Sequence, residues 1–253
     1  MVEITLNMDN LRNVTIHDNV VIGNNVKIGL NSIVYPNVTI DDDTIIGSNC
    51  IIGEPTIDYY SSKDSYNFKP VHISNNSIIR SNTVIYEDVN IGNNFQTGHN
   101  ATIHEKTKIG RNCSVGTSSE IMKSTSIGNY VRIHSNVFIG EESIIEDYVW
   151  LFPKVTLTND TYPPMNNLKP VTVKKFAQLA ANVIVLPGKI IGENSLVGAG
   201  SLVTTNVDKN SLYFGSPATR KCSIEEIRNE DGEQIYPWKD FLKENRGYPW
   251  QEK

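Results

Sequence analysis

The sequence is short of the features that mark several common protein classes. Its 253 residues hold three cysteines, and Cys50, Cys113 and Cys222 stand too far apart for a CxxC metal pattern or a disulfide framework. Reduced thiols follow. Cations are outnumbered, with 23 Lys and Arg against 28 Asp and Glu, for a net charge of -5. That balance offers no basic stripe to nucleic acid or to an anionic membrane. No apolar run approaches a spanning length, and the opening MVEITLNMDN lacks the basic and apolar regions of a signal peptide. The expectation is a soluble cytoplasmic protein with no nucleic-acid or membrane partner.

What the chain has in quantity is rhythm. From Ile16 an aliphatic residue recurs every six positions through Ile22, Ile28, Val34, Ile40, Ile46 and Ile52. The frame resumes at Ile73, runs to Leu157, and then fits Val173, Leu179, Val185, Ile191, Val197 and Val203. Ile, Val or Leu opens 27 of these 28 hexads, and Thr97 is the exception. Position two is often Gly and position four is Asn in half the hexads, so a left-handed corner recurs every six residues. Position five is mostly small or β-branched, as at Val20, Ser32, Thr83, Ala101, Val137 and Ser201. Strand alternation turns positions five and one inward.

Strands this short need partners. Three hexads return the chain to its start, and stacking at about 4.8 Å then pairs each strand with the coils above and below, giving about nine coils and a prism on the order of 45 Å long. Only its two ends lack neighbours. A helical reading fails because six is not a multiple of 3.6.

Over roughly residues 10 to 220 this pattern resembles the hexapeptide-repeat acyltransferases. The resemblance implies an all-β fold, a left-handed parallel β-helix, and homotrimers with active sites between neighbouring prisms. General crossover rules favour the right hand, so the left hand comes from the resemblance alone. The expected organisation is a β-helix over 1–208, with loops inserted at 58–72 and 163–172, and a capping tail over 209–253 with short helices. One helix should start at Ser223, a suitable N-cap, and a second should lie between the two YPW triplets. In the first loop Tyr59, Tyr60, Tyr66 and Phe68 suit stacking on a base, and Lys63 or Lys69 suits a phosphate. The same aromatics equally suit pinning the loop to the prism.

The C-terminal stretch AANVIVLPGKIIGENSLVGAGSLVTTNV, followed by FGSPATRK, looks like the segment with which this family holds coenzyme A. On that resemblance Ala180, Gly198 and Ala199 leave backbone open to the pantetheine arm, and Lys174, Lys175 and Arg220 are candidate phosphate partners. Acyl transfer to an amine profits from a base of near-neutral pKa. His99, in a G-H stretch at the broken hexad, is the candidate. His134 belongs to a hexad 36 residues later, which places both on one corner edge about 10 Å apart. His17 and His72 read as surface residues.

QTGH, IHSNVFI and LTNDTYPP resemble the branch that N-acylates amino groups on nucleotide-linked deoxysugars, in cell-surface polysaccharide precursor synthesis. Acetyl-CoA would be the donor. His134, Asn159, Asp160, Arg80 and Tyr66 form the expected substrate-binding set, although Asn159 and Asp160 equally suit an Asx turn. His99 and His104 also have the H-x4-H spacing of γ-type carbonic anhydrases. The third ligand would come from about one coil earlier, where Arg80 stands; it cannot ligate and would oppose Zn²⁺. No metal is expected, and His104 reads as an exposed strand or corner residue. Sugar or serine O-acetyltransferase and a non-catalytic scaffold are the remaining alternatives.

Overall fold

The computed structural model describes residues 13–62, 65–164 and 167–241. Strands mostly two residues long wind round three faces. Thr15–Ile16 opens face one, Val21–Ile22 face two and Lys27–Ile28 face three, and Ile33–Val34 returns to face one. Among the described residues the faces hold ten, nine and eleven strands. Every pairing is parallel except the last hairpin on face three. The hexad makes this architecture directly. Position-one side chains such as Ile52, Ile85, Ile103 and Ile139 are fully buried, and so are position-five side chains such as Val38, Thr44 and Ala101. Cys50 and Cys113 lie in the same interior and are free thiols, as is Cys222.

Position four turns most corners with φ between +55° and +63° in non-glycine residues as different as Asn, Tyr, Glu and Lys, and with φ +72° and +70° at Gly188 and Gly200. Asn tolerates that region and forms ladders, as in Asn94 Nδ2 donating to Asn112 Oδ1 at 2.9 Å. On the edge following face two the amide ladder gives way to Tyr130, Tyr148 and Phe176, whose rings stack at 4.8 and 4.9 Å.

The regular frame ends near 208, but the sheet does not. The repeat shortens by two residues, so that Ile191 bridges Val207 and Val197 pairs with Tyr213. Ser211–Phe214 thereby extends face three, and Thr219–Ser223 closes it as an antiparallel neighbour. Ser223 does cap a helix, in a capping box with Glu226, but the helix is a single 3-10 turn, Ile224–Glu226. A second 3-10 turn, Trp238–Phe241, begins in the first YPW triplet. The second triplet lies outside the described residues. Trp238 folds back on its own prism, stacking on Trp150 at 5.7 Å and donating its indole N–H to the Phe176 carbonyl at 2.9 Å.

The first loop carries a one-turn helix, Ile57–Ser61. Tyr59, Tyr66 and Phe68 pack on one another with centroids 5.0 to 5.7 Å apart. The Tyr66 hydroxyl donates to the buried Glu87 carboxylate, whose second oxygen accepts the Lys69 N–H at 2.9 Å. These aromatics pin the loop. Lys63 lies outside the described residues. The strand resumes at Val71–Ile73, so His72 is a face-two residue within a strand rather than a loop end, with Nε2 2.8 Å from Asp41. Among the described residues no helix is long and apolar enough to cross a membrane.

Candidate active site

The faces meet along three edges, and the candidate residues divide among them. On the edge from face three to face one, Arg80 follows Ile78–Ile79, His99 follows Gln96–Thr97 and His134 follows Arg132–Ile133. Ala180 follows Gln178–Leu179, and Gly198 and Ala199 follow Leu196–Val197. Strand order puts His99 and His134 two coils apart, as their spacing predicts. Asn159 and Asp160 follow Thr156–Leu157 on the edge from face one to face two. Lys174 and Lys175 follow Thr172–Val173 on the remaining edge, and Arg220 lies exposed in the terminal hairpin. Tyr66 does not join them. Its partner Glu87 is four coils below Asn159, about 19 Å along the prism.

The broken hexad has a structural cause. Thr97 is 3% exposed, and its Oγ1 accepts the Arg80 N–H at 2.8 Å while lying 3.3 Å from Thr83 Oγ1. In other coils the equivalent N–H reaches a strand carbonyl, as Gly47 reaches Ile79 and Gly98 reaches Val115, both at 2.7 Å. At Thr97 a hydroxyl takes the carbonyl's place in the ladder. His99 follows at the corner, exposed. Its ring has no hydrogen bond, ion pair or ring contact with the described residues. His134 is held far more firmly. Its ring stacks on Phe152 at 4.9 Å and meets Trp150 edge-on at 6.1 Å, while Nε2 is buried without a partner. Burial, and then the nearby Arg132 guanidinium, hold its pKa below the ordinary 6.5, so the ring is neutral at pH 7.

The small residues are small for different reasons. A Cβ on Gly198 would lie 2.5 Å from a Phe214 ring carbon, so that space is filled. A Cβ on Gly200 meets nothing within 4 Å, and Ala199 beside it is exposed, so the backbone is open there. Among the basic candidates, Lys174 pairs with Glu146 at 2.7 Å. The other Glu146 oxygen accepts the Lys175 N–H at 3.0 Å, and Lys175 Nζ lies 5.2 Å from the Phe176 ring centroid. Arg220 is the exposed cation of the three.

His104 is not the bare strand or corner residue that the sequence suggests. Its side chain is 19% exposed, stacks on Tyr86 at 4.6 Å and places Nε2 3.2 Å from Glu120. The cause is coil stacking, which brings Tyr86 and Glu120 to it from the coils on either side. Among the described residues no group of three or more His, Cys, Asp or Glu is arranged to hold a metal ion.

The edge from face one to face two carries a cleft of about 460 Å³, within the usual range for small-molecule sites. Phe138 and Leu186 supply apolar wall; Asn159, Asp160, Lys189 and Thr204 supply polar groups. One Asp160 oxygen accepts the Tyr162 N–H at 3.2 Å, so the Asx turn forms. The Asn159 carbonyl accepts the Lys169 N–H at 2.7 Å, and the Lys169 carbonyl accepts the Gly188 N–H at 2.8 Å. Those bonds tie the base of the second loop across the cleft. The Asn159 side-chain amide is unbonded among the described residues. Lys189 and Thr204 escape the sequence reading, but Lys189 leaves a signal. It is the only charged residue at position five in the 28 hexads.

The family described as bacterial transferase hexapeptide (six repeats) matches residues 19–56, 88–123 and 106–141, and that described as hexapeptide repeat of succinyl-transferase matches 179–205 and 188–212. The chain carries the hexapeptide repeat that these two families share. This hexapeptide-repeat chain is 41% identical over 80 residues to the galactoside O-acetyltransferase of Lactococcus lactis subsp. lactis, covering 28% of its own length and 39% of the relative's. Over 49 residues it is 47% identical to the dTDP-3-amino-3,6-dideoxy-alpha-D-galactopyranose 3-N-acetyltransferase of Aneurinibacillus thermoaerophilus, covering 19% and 26%. A similar solved structure is the Arabidopsis UDP-N-acetylglucosamine acyltransferase, at TM-score 0.49 and 17% identity over 83% of this chain and 73% of that one. The first three curated relatives are spanned over only 39 to 49% of their lengths.

Proposed function

We propose that the chain is an acyl-CoA-dependent N-acyltransferase that moves an acetyl group from acetyl-CoA to the amine of a nucleotide-linked amino deoxysugar, working as a cytoplasmic homotrimer. The observation that carries this is the cleft at LTNDTYPP, where Asp160 and Asn159 stand together as polar groups for a sugar hydroxyl or the amine. The similarity to an N-acetyltransferase named for a dTDP-linked amino sugar supports the same substrate class.

The amine attacks the thioester carbonyl, backbone N–H groups stabilise the oxyanion, and collapse of the tetrahedral intermediate breaks the C–S bond. His99 accepts the proton that the amine loses, and the leaving thiolate takes it up. Asn159, Asp160 and the neutral His134, two coils from His99, orient the sugar. Open backbone at Ala199 and Gly200, with Arg220 beyond, is where the donor would lie.

The trimer is part of the proposal because of where these groups sit. His99, Ala199 and Gly200 lie on one edge and the cleft on the next, separated by the width of face one, on the order of 15 Å. One prism's edge against its neighbour's cleft brings donor and acceptor together, and since His99 lies more than three coils, about 16 Å, from Asn159 along the axis, the acceptor's amine must extend along the groove between the prisms to reach it. The similarity to galactoside O-acetyltransferases favours a second reading, acetyl transfer to a sugar hydroxyl. Coenzyme A release measured over a panel of nucleotide-linked amino sugars and simple glycosides decides: release with the amino sugars is expected, and release with hydroxyl acceptors alone overturns the proposal.

A further inference from the structure

Position five is an inward slot whose other occupants are small or apolar and mostly buried: Thr44, Ser77, Thr83, Ser143, Val155 and Val183 are all at 0% exposure, and Val20, Val26, Thr56 and Thr161 are half-buried. Lysine is a poor tenant for it. An ammonium is a strongly hydrated point charge, and burying it without a partner is costly. The chain relieves that conflict at the cleft. The corner before Lys189 turns at Gly188, with φ +72°, and Lys189 is half-buried in the cleft wall.

Two other lysines on the prism are neutralised, while Lys27, Lys106, Lys108 and Lys154 are exposed and carry no ion pair among the described residues. Lys123 lies 3.5 Å from Glu141, and Lys174 lies 2.7 Å from Glu146. Among the described residues Lys189 has no carboxylate at ion-pairing distance, and that includes Asp160 in the same cleft. The cleft thus holds one negative and one positive side chain that do not pair with each other. A ligand phosphate would supply the anion that the half-buried Lys189 lacks.

We infer that Lys189 reads a phosphate of the acceptor and so makes the cleft selective for nucleotide-linked amino sugars over free ones. Lysine binds phosphate as a point charge, without the planar fork that arginine brings. This rests on the cleft being the acceptor site. Coenzyme A is the other source of phosphate, and the experiment separates the two.

Wild type, Lys189→Met and Lys189→Arg are compared in steady-state coenzyme A release. The acceptors are dTDP-linked and UDP-linked amino deoxysugars, each beside the methyl glycoside of the same sugar, with acetyl-CoA varied separately. Lys189→Met keeps the apolar stem nearly at length and removes the ammonium with its charge and its donors. Its KM for the nucleotide-linked acceptor should rise about tenfold or more, with kcat within about twofold and no change in KM for the methyl glycoside or acetyl-CoA. Lys189→Arg should recover most of the loss. An unchanged KM for the nucleotide-linked acceptor, an equal loss on the methyl glycoside, or a rise confined to acetyl-CoA overturns the inference while leaving the N-acyltransferase reading intact. Wild-type turnover of no nucleotide-linked acceptor overturns both.

Discussion

Thr97 and Lys189 each break the hexad rule, on two different edges of the prism, and the structure treats them in opposite ways. Thr97 puts a hydroxyl into an aliphatic slot, and the backbone absorbs it: Oγ1 becomes the ladder acceptor for the Arg80 N–H, at 2.8 Å and 3% exposure. Lys189 puts a charge into a small-residue slot, and no carboxylate among the described residues pairs with it. A departure from a repeat marks chemistry when its polar capacity is left over, and marks packing when the coil uses it up. On this criterion the Lys189 edge has the stronger claim to the proposed acceptor site, while the proposed base on the Thr97 edge rests on the exposed His99.

His99→Asn attacks that claim most directly. If the imidazole takes the proton, kcat/KM should fall by about 10²–10⁴ with the thermal midpoint unchanged, since the exposed ring makes no hydrogen bond, ion pair or ring contact with the described residues. Full activity would leave the sulfur of coenzyme A as the proton's destination and strip the edge of its base. Gly98→Ala comes next and acts on stability. The added Cβ would sit 2.2 Å from the Thr117 nitrogen, a backbone atom, and should cost about 3 kcal/mol in urea unfolding. Gly200→Ala, with open space but φ +70°, should cost only about 1 kcal/mol. Equal losses at the two positions would show that close coil approach is not what the position-two glycine serves.

Thr97→Val then tests the contrast between the two departures. The shape is kept and the acceptor removed, so the Arg80 N–H loses its partner at a cost of about 1–3 kcal/mol, with turnover retained in the folded protein. If the Val protein is as stable as wild type, the strand carbonyl has re-entered the ladder and repair is not why threonine stands there.

The fold was legible because each hexad maps onto one strand and one corner, so counting residues is equivalent to counting faces. The same count put His99 and His134 two coils apart on one edge, and it located corners even at Tyr130, Glu142 and Lys154, where no propensity suggests a left-handed residue. It is blind to lateral neighbours. Glu146, which neutralises Lys174, is 28 residues away because the second loop intervenes, and nothing in the frame announces the pair. The Glu120 and Tyr86 contacts that hold His104, and the Phe214 ring over Gly198, also come from stacking side chains whose rotamers the period does not specify. Lys189 was within reach. Inspecting position five as strictly as position one would have exposed it.

The smallest effect expected is at His134, and its sign distinguishes a packed imidazole from a charged one. Burial and Arg132 depress its pKa in the folded chain below 6.5, so the unfolded chain binds the proton more tightly. Its contribution to stability should be complete above pH 6.5, decline as pH falls through the interval between 6.5 and the lower folded value, and level off below that. Thermal midpoints of wild type and His134→Gln from about pH 8 to about pH 5 should therefore show the wild type losing ground to the variant as pH drops. The opposite slope would require an acidic partner for the buried Nε2, contributed from outside the described residues. The edge would then hold a cationic His134 two coils from His99, where the donor's phosphates rather than the sugar would find their charge.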